Sequence, residues 1–217
     1  MKKLLIFFPI FIIHTLSFAQ SNKFIFTFLN TKVDKVELPK EEVDKIMKGH
    51  LANINKMAKE GKLLVAGPFE GGGGIFIFKS TSVEEVNEWI SEDPGIKANR
   101  WDVEILPFTI RAGGACAVGE TYEMTMYHFI RYNPNLTKFT IGDAPLTFKR
   151  HDDYLKKIEV TGNVIAEGNF GDREGGILIL KGDLETEVIE FDPAVQEGLL
   201  ELDFKKLWVA KGSFCEQ

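Results

Sequence analysis

Cysteine, histidine and positive charge are all scarce in this chain, and each scarcity removes a class of function. Two cysteines, Cys116 and Cys215, leave no CxxC pair and no Cys/His zinc set. They can form at most one disulfide, which would close a loop of about 100 residues, or they can remain two free thiols. Thirty-two acidic residues against 26 basic ones give a formal net charge of −6. Basic clusters are missing, so neither nucleic acid nor an anionic membrane surface is an expected partner. Long apolar runs are also absent after the first twenty residues. There, "MKKLLIFFPIFIIHTLSFAQ" places two lysines before an apolar stretch of about 15 residues, short of the roughly 20 that cross a bilayer. Small residues end it at Ala19, so residues 1–19 are expected to be a cleaved signal peptide. The mature protein is then exported, periplasmic or extracellular, and holds no membrane segment. No cysteine follows the apolar stretch to carry a lipid.

What the chain has in quantity is phenylalanine, 18 residues of it, within a 44% hydrophobic composition. That is enough to build a core and excludes a disordered chain. The hydrophobic pattern occurs twice. "HLANINKMAKEGKLLVAGPFEGGGGIFIF" begins at His50 and "HDDYLKKIEVTGNVIAEGNFGDREGGILIL" at His151. In both, a glycine follows the histidine at the same offset (Gly61, Gly162), then another (Gly67, Gly168), then a phenylalanine (Phe69, Phe170). A Gly-Gly pair then opens an apolar run, after one inserted residue in the second copy. Each copy reads strand, helix, strand, strand, helix, strand. "KFIFTFL" alternates as a strand, Pro39 and early acids open a helix that Gly61 stops, and Ser82 with Glu85 has capping-box spacing. This is the ferredoxin-like βαββαβ order of an α+β protein, with both helices on one face of an antiparallel sheet. The expected domains are residues 22–110 and 122–217, joined by a Gly-rich linker at 111–121. Each sheet has a face that its helices leave bare. The two tandem domains are therefore expected to pack sheet to sheet as an intramolecular pseudo-dimer in a monomeric protein.

The repeat also duplicates two ionisable residues. His50 falls in the apolar helical series of Val43, Met47, Ile54 and Met57, and His151 in that of Phe148, Leu155 and Ile158. Their flanks, "KGHLAN" and "KRHDDY", have diverged. Asp93 and Asp192 each stand immediately before a proline, late in the second helix of each copy. Placed at a helix C-terminus, an aspartate opposes the macrodipole, so its recurrence asks for another reason. Helices lying side by side on a sheet could bring each aspartate to its histidine, fixing the tautomer and raising its basicity for general acid–base work. The expected catalytic residues are accordingly His50, Asp93, His151 and Asp192.

"GKLLVAGPF", the helical histidine upstream and "DP" downstream resemble the YCII-related domain family, a branch of the dimeric ferredoxin-like α/β-barrel proteins. The resemblance spans nearly all of the mature chain as two copies, and is weaker in the second, where "GNF" replaces "GPF". It implies a His–Asp active site near the interface between two domains, here His50 with Asp93 and His151 with Asp192. It also implies a small-molecule ligand, and a few members are linked to lyase-type elimination on chlorinated aromatics. Muconolactone isomerases and small monooxygenases are related barrels. No cofactor and no metal is expected, because the histidines sit in different copies. His128 reads as an ordinary strand residue that could line the second pocket, and Trp89, Trp101 and Trp208 read as packing. "GPFEGGGG" lacks the GK[ST] of a phosphate loop and reads as a hairpin turn. The expected function is a secreted protein with cofactor-free proton transfer, of lyase or isomerase type. Its rivals are a binding module and a purely structural pseudo-dimer.

Overall fold

The computed structural model describes residues 22–138, 144–171, 175–183 and 186–215, so the expected signal peptide lies outside the described residues. The first half comprises β1 (Lys23–Thr31), α1 (Lys40–Lys59), β2 (Leu63–Pro68), β3 (Gly74–Phe78), α2 (Val83–Ser91), α3 (Pro94–Lys97) and β4 (Trp101–Ala112). A short β5 (Gly114–Ala115) follows. The second half comprises β6 (Met124–Pro134), α4 (Ala144–Glu159), β7 (Val164–Asn169), β8 (Gly176–Leu180), α5 (Thr186–Glu190), α6 (Pro193–Gln196), β9 (Leu200–Ala210) and β10 (Phe214–Cys215).

Eight of these strands form one antiparallel sheet in the order β2-β3-β1-β4-β7-β8-β6-β9, and β5 and β10 pair separately. Alternation within β1 explains its layers. Phe24, Phe26 and Phe28 join the central cluster, whereas Ile25 and Leu29 pack with Met57, Val86 and Ile90 beneath α1 and α2. In the second half, Phe129 joins the central cluster, and Ile130 and Tyr132 pack with Phe148 and Leu155 of α4. The central cluster draws on both halves. Phe26 meets Phe108 edge-on at 5.3 Å and Phe170 at 5.4 Å between ring centroids.

The bare sheet faces therefore meet, but the joint is more than face packing. β4 hydrogen-bonds to β7, with Ile110 opposite Gly168. At the other edge Phe69 bridges Leu207, and the Glu70 N–H donates to the Lys206 carbonyl at 2.9 Å. Edge strands carry unpaired backbone groups, and these seams satisfy them as well as hiding the phenylalanines. The repeated glycines Gly67 and Gly168 sit at these seams. A Cβ on Gly67 would lie 2.5 Å from the Trp208 carbonyl oxygen, and one on Gly168 would lie 2.5 Å from that of Thr109. Gly61 and Gly162, which end α1 and α4, hold φ of 70° and 76°, the left-handed conformation that glycine adopts without strain.

Ser82 caps α2 as its spacing predicts, accepting from the Glu85 N–H at 3.2 Å. The reciprocal half of the box is rewired, because the Ser80 hydroxyl accepts from the Ser82 N–H and donates to the Glu85 carboxylate. Within the segment read as a linker, Gly114 and Ala115 pair with β10, and Cys116 is disulfide-bonded to Cys215 with Cα atoms 6.0 Å apart. The bridge closes a loop of about 100 residues, an unfolded-state constraint of about 4–5 kcal/mol in the chain-entropy model. Reduction should accordingly raise the intact mass by two hydrogens and lower the urea midpoint. A Cys116→Ser variant with the midpoint of the oxidised parent would contradict this.

Candidate functional site

Both histidine–aspartate pairs form. His50 Nδ1 lies 2.9 Å and 3.0 Å from the two Asp93 carboxylate oxygens, and His151 Nδ1 lies 2.6 Å from Asp192 Oδ2. All four residues are buried, and both aspartates are fully inaccessible. The way the aspartates are held corrects the sequence expectation. α2 does not run on to Asp93; it ends at Ser91, and Pro94 opens a separate short helix, α3. Asp93 is the N-cap of α3, accepting from the Gly95 N–H at 2.8 Å and the Ile96 N–H at 3.3 Å. Asp192 caps α6 in the same way, accepting from Ala194 at 2.8 Å. Proline is well placed at a first helical position, where no intrahelical partner awaits its missing N–H. The "DP" pair is thus a helix start, and the macrodipole favours the carboxylate.

Burial pushes the Asp93 carboxyl up, but hydrogen bonds from His50, Asn53 and Gly95, with the His50 charge, outweigh it, and the net shift is downward. Asn53, one helical turn beyond His50, supplies one of these bonds at 3.1 Å. The ionised carboxylate accepts the Nδ1–H, which leaves Nε2 as the imidazole's basic nitrogen. His50 packs against Trp101 at 4.8 Å and Phe76 at 5.9 Å between ring centroids. It lines a cavity of about 410 Å³ whose walls include Met47, Trp101 and the Gly71–Gly74 hairpin. That size suits a small organic ligand. A second cavity of about 780 Å³ adjoins at Ile54 and is lined by Ala66, Tyr122 and Ala210.

The second half is built differently at the corresponding strand positions. Where β2 has Ala66, β7 has Glu167; where β9 has Ala210, β4 has Arg111; and Asp152 replaces Leu51. Arg111 Nη2 donates to Glu167 at 2.6 Å and Nη1 to Asp152 at 2.5 Å, so the guanidinium is engaged by both carboxylates. Tyr132 stands where the first half has Leu29, edge-on to His151 at 5.1 Å. Burial foremost, and then the Asp192 charge, push its phenol well above the ordinary tyrosine range. Burial likewise raises Glu167 despite Arg111. Among the described residues, the space left beside His151 is about 10 Å³, no more than a water molecule needs.

The neighbours of the two pairs have also diverged. Trp101 of the first half corresponds to Leu200, and Gly95 to Ala194. A Cβ on Gly95 would fall 2.3 Å from the Trp101 ring, so the missing methyl makes room for the indole on His50. Trp101, read from the sequence as packing alone, is a wall of the cavity. His128 lies on β6 opposite Leu180 and Lys206, and no contact joins it to His151 among the described residues. Asn53, Trp101 and the Arg111–Glu167–Asp152 cluster escaped the sequence reading. The signal that could have found them is divergence at matched offsets, such as Ala66 against Glu167. Among the described residues no group of three potential metal ligands occurs, and no helix is long and apolar enough to cross a membrane.

The chain is thus an α+β protein with a large antiparallel sheet and a buried His–Asp pair under the helices of each half. Residues 25–109 match the YCII-related domain family, so the first half of the chain carries a YCII-related domain. Two solved structures are similar over most of their length. One, from Fusobacterium nucleatum subsp. nucleatum, is described as a candidate monooxygenase: TM-score 0.49, 10% identity, 92% of this chain and 96% of that one covered. The other, from Thermus thermophilus, is described as a heme-binding protein: TM-score 0.46, 11% identity, 88% and 91% covered. No curated protein matches the chain.

Two predictions rest on this geometry. Because the folded-state pKa of Asp93 is depressed, its stabilising contribution is present above the ordinary aspartate pKa of about 4 and is lost as pH falls through the lower folded value. Asn can cap α3 without the charge. The stability gap between wild type and Asp93→Asn should therefore shrink below about pH 4 in urea titrations; a gap constant from pH 7 to pH 2 would contradict it. In the second half, where His151 is buried against Asp192 and Tyr132, His151→Gln should cost about 1–3 kcal/mol of stability, read as a lower melting temperature.

Proposed function

We propose that this chain is an exported, tandem YCII-like protein whose first half performs cofactor-free proton transfer on a small molecule. One observation carries the reading: His50 lines a cavity of ligand size while Asp93, the N-cap of α3, holds its Nδ1 and leaves Nε2 outside that bond. An imidazole so oriented accepts a proton from carbon as a general base. In an isomerisation, the C–H electron pair moves into a new π bond as the existing one shifts, and the imidazolium returns its proton to the far carbon. In an elimination, the same pair expels a leaving group as its anion, and the proton passes on to solvent. Asp93 stabilises the imidazolium formed in either case.

The second half is proposed to be a closed structural counterpart. The Arg111–Glu167–Asp152 cluster and Tyr132 occupy the room that a ligand would need beside His151. The equal strand order of the halves and the matched offsets from His50 and His151 support a duplication in which domains 22–110 and 122–217 form an intramolecular pseudo-dimer. The signal-like residues 1–19 and the Cys116–Cys215 bridge support export to an oxidising compartment.

The test incubates the full mature chain in D2O with small lactones, unsaturated acids and halogenated phenols. Proton NMR then reads deuterium incorporation, isomerisation or loss of halide. His50→Gln should slow turnover by about 10²–10⁴-fold, the range of a general base, while circular dichroism stays unchanged. His151→Gln should leave turnover intact. Turnover that survives His50→Gln, or that His151→Gln abolishes, would overturn the assignment.

A further inference from the structure

The cavity beside His50 is lined by two cations, Lys35 and Arg100, and by no carboxylate among its described residues. Neither cation has a carboxylate partner within 4 Å among the described residues. Arg100 gives one hydrogen bond, from Nη1 to the Val36 carbonyl at 2.9 Å, and Lys35 is half-buried. The contrast with the second half is direct, since there Arg111 is engaged by two carboxylates. Half-buried cations without counter-ions, facing an empty space, favour an anion in that space. The rest of the wall is apolar and aromatic, with Phe76 and Trp101 beside His50 and bare glycine backbone at Gly71–Gly74.

We infer that the ligand of the first-half pocket is a small organic anion, a carboxylate on a flat apolar body. Its charge sits between Lys35 and Arg100 and its body lies along Trp101 toward Nε2 of His50. The inference rests on the reading of His50 as the working base, and it names the substrate class of that site. The negative charge of a carboxylate opposes removal of a proton from a neighbouring C–H bond, and pairing with Lys35 and Arg100 would offset it. The cavity volume of about 410 Å³ admits one ring with substituents.

The probes are benzoate and its neutral counterpart benzamide, titrated into the full mature chain while NMR follows the His50 imidazole and Trp101 indole signals. Benzoate should move both signals saturably and bind about tenfold or more tightly than benzamide, with its affinity falling as salt rises. Lys35→Ala and Arg100→Ala should each weaken benzoate by about three- to tenfold and leave benzamide unchanged, and Lys35→Arg should restore it. Equal binding of the two probes, unmoved His50 and Trp101 signals, or benzoate affinity indifferent to both alanine variants would overturn the inference. His50→Gln separates the two claims. Benzoate binding that survives in that variant while wild-type turnover proves absent would sink the acid–base reading and leave the anion site standing.

Discussion

Phe26, Phe28, Phe69 and Phe108 of the first half and Phe129 and Phe170 of the second must leave water together, and the architecture follows from that constraint. Fully burying one such side chain is worth about 1.5–3 kcal/mol, and neither half has a second layer to cover that face of its own sheet. Joining the faces buries the rings, and pairing β4 with β7 and Phe69 with Leu207 removes the strand edges that would otherwise stay unpaired. Gly67 and Gly168 recur because they stand where these seams leave no space for a Cβ. Arg131 ties the halves at the same level, pairing with Glu104 at 2.9 Å and lying 4.0 Å over the Phe28 ring.

With the inner faces committed to packing, the two His–Asp pairs lie on the outer faces, beneath the helices. There each histidine meets an N-cap aspartate across two elements whose spacing the sheet fixes. The pairs are alike, but their neighbours set different fates. His50 and His151 are equally buried, but His50, held with Asp93 by Asn53 and Trp101, lines a cavity of about 410 Å³, whereas Tyr132, Glu167 and Arg111 line only about 10 Å³ beside His151. Arg111 comes from the last strand of the first half, so that half contributes the residue that closes the second. Seam formation and site closure are therefore coupled: Ala112, next to Arg111, pairs with Glu167 across β4 and β7.

Much of this was legible in the sequence, and the boundary of legibility has a physical cause. Periodicity exposed α1 and α4, alternation exposed β1, and the recurrence of His50 and His151 with Asp93 and Asp192 singled out the pairs before their contacts were visible. The role of "DP" is not legible, because a proline that ends one helix and one that begins the next look identical in sequence. Only backbone geometry shows that Asp93 accepts from Gly95 and Ile96. Trp101 and Arg111 were invisible as site residues for a different reason. They reach their sites from β4, whose register against β1 and β7 the local pattern does not specify.

The central claim is that one of two similar His–Asp pairs is open to a ligand and the other is closed. Crystals of residues 20–217 soaked with a mixed set of small aromatic acids, lactones and neutral phenols test it most directly. The account predicts ligand density against His50 and Trp101, with Arg111, Glu167 and Tyr132 undisturbed around His151. Density beside His151, with the cavity at His50 empty, would contradict it.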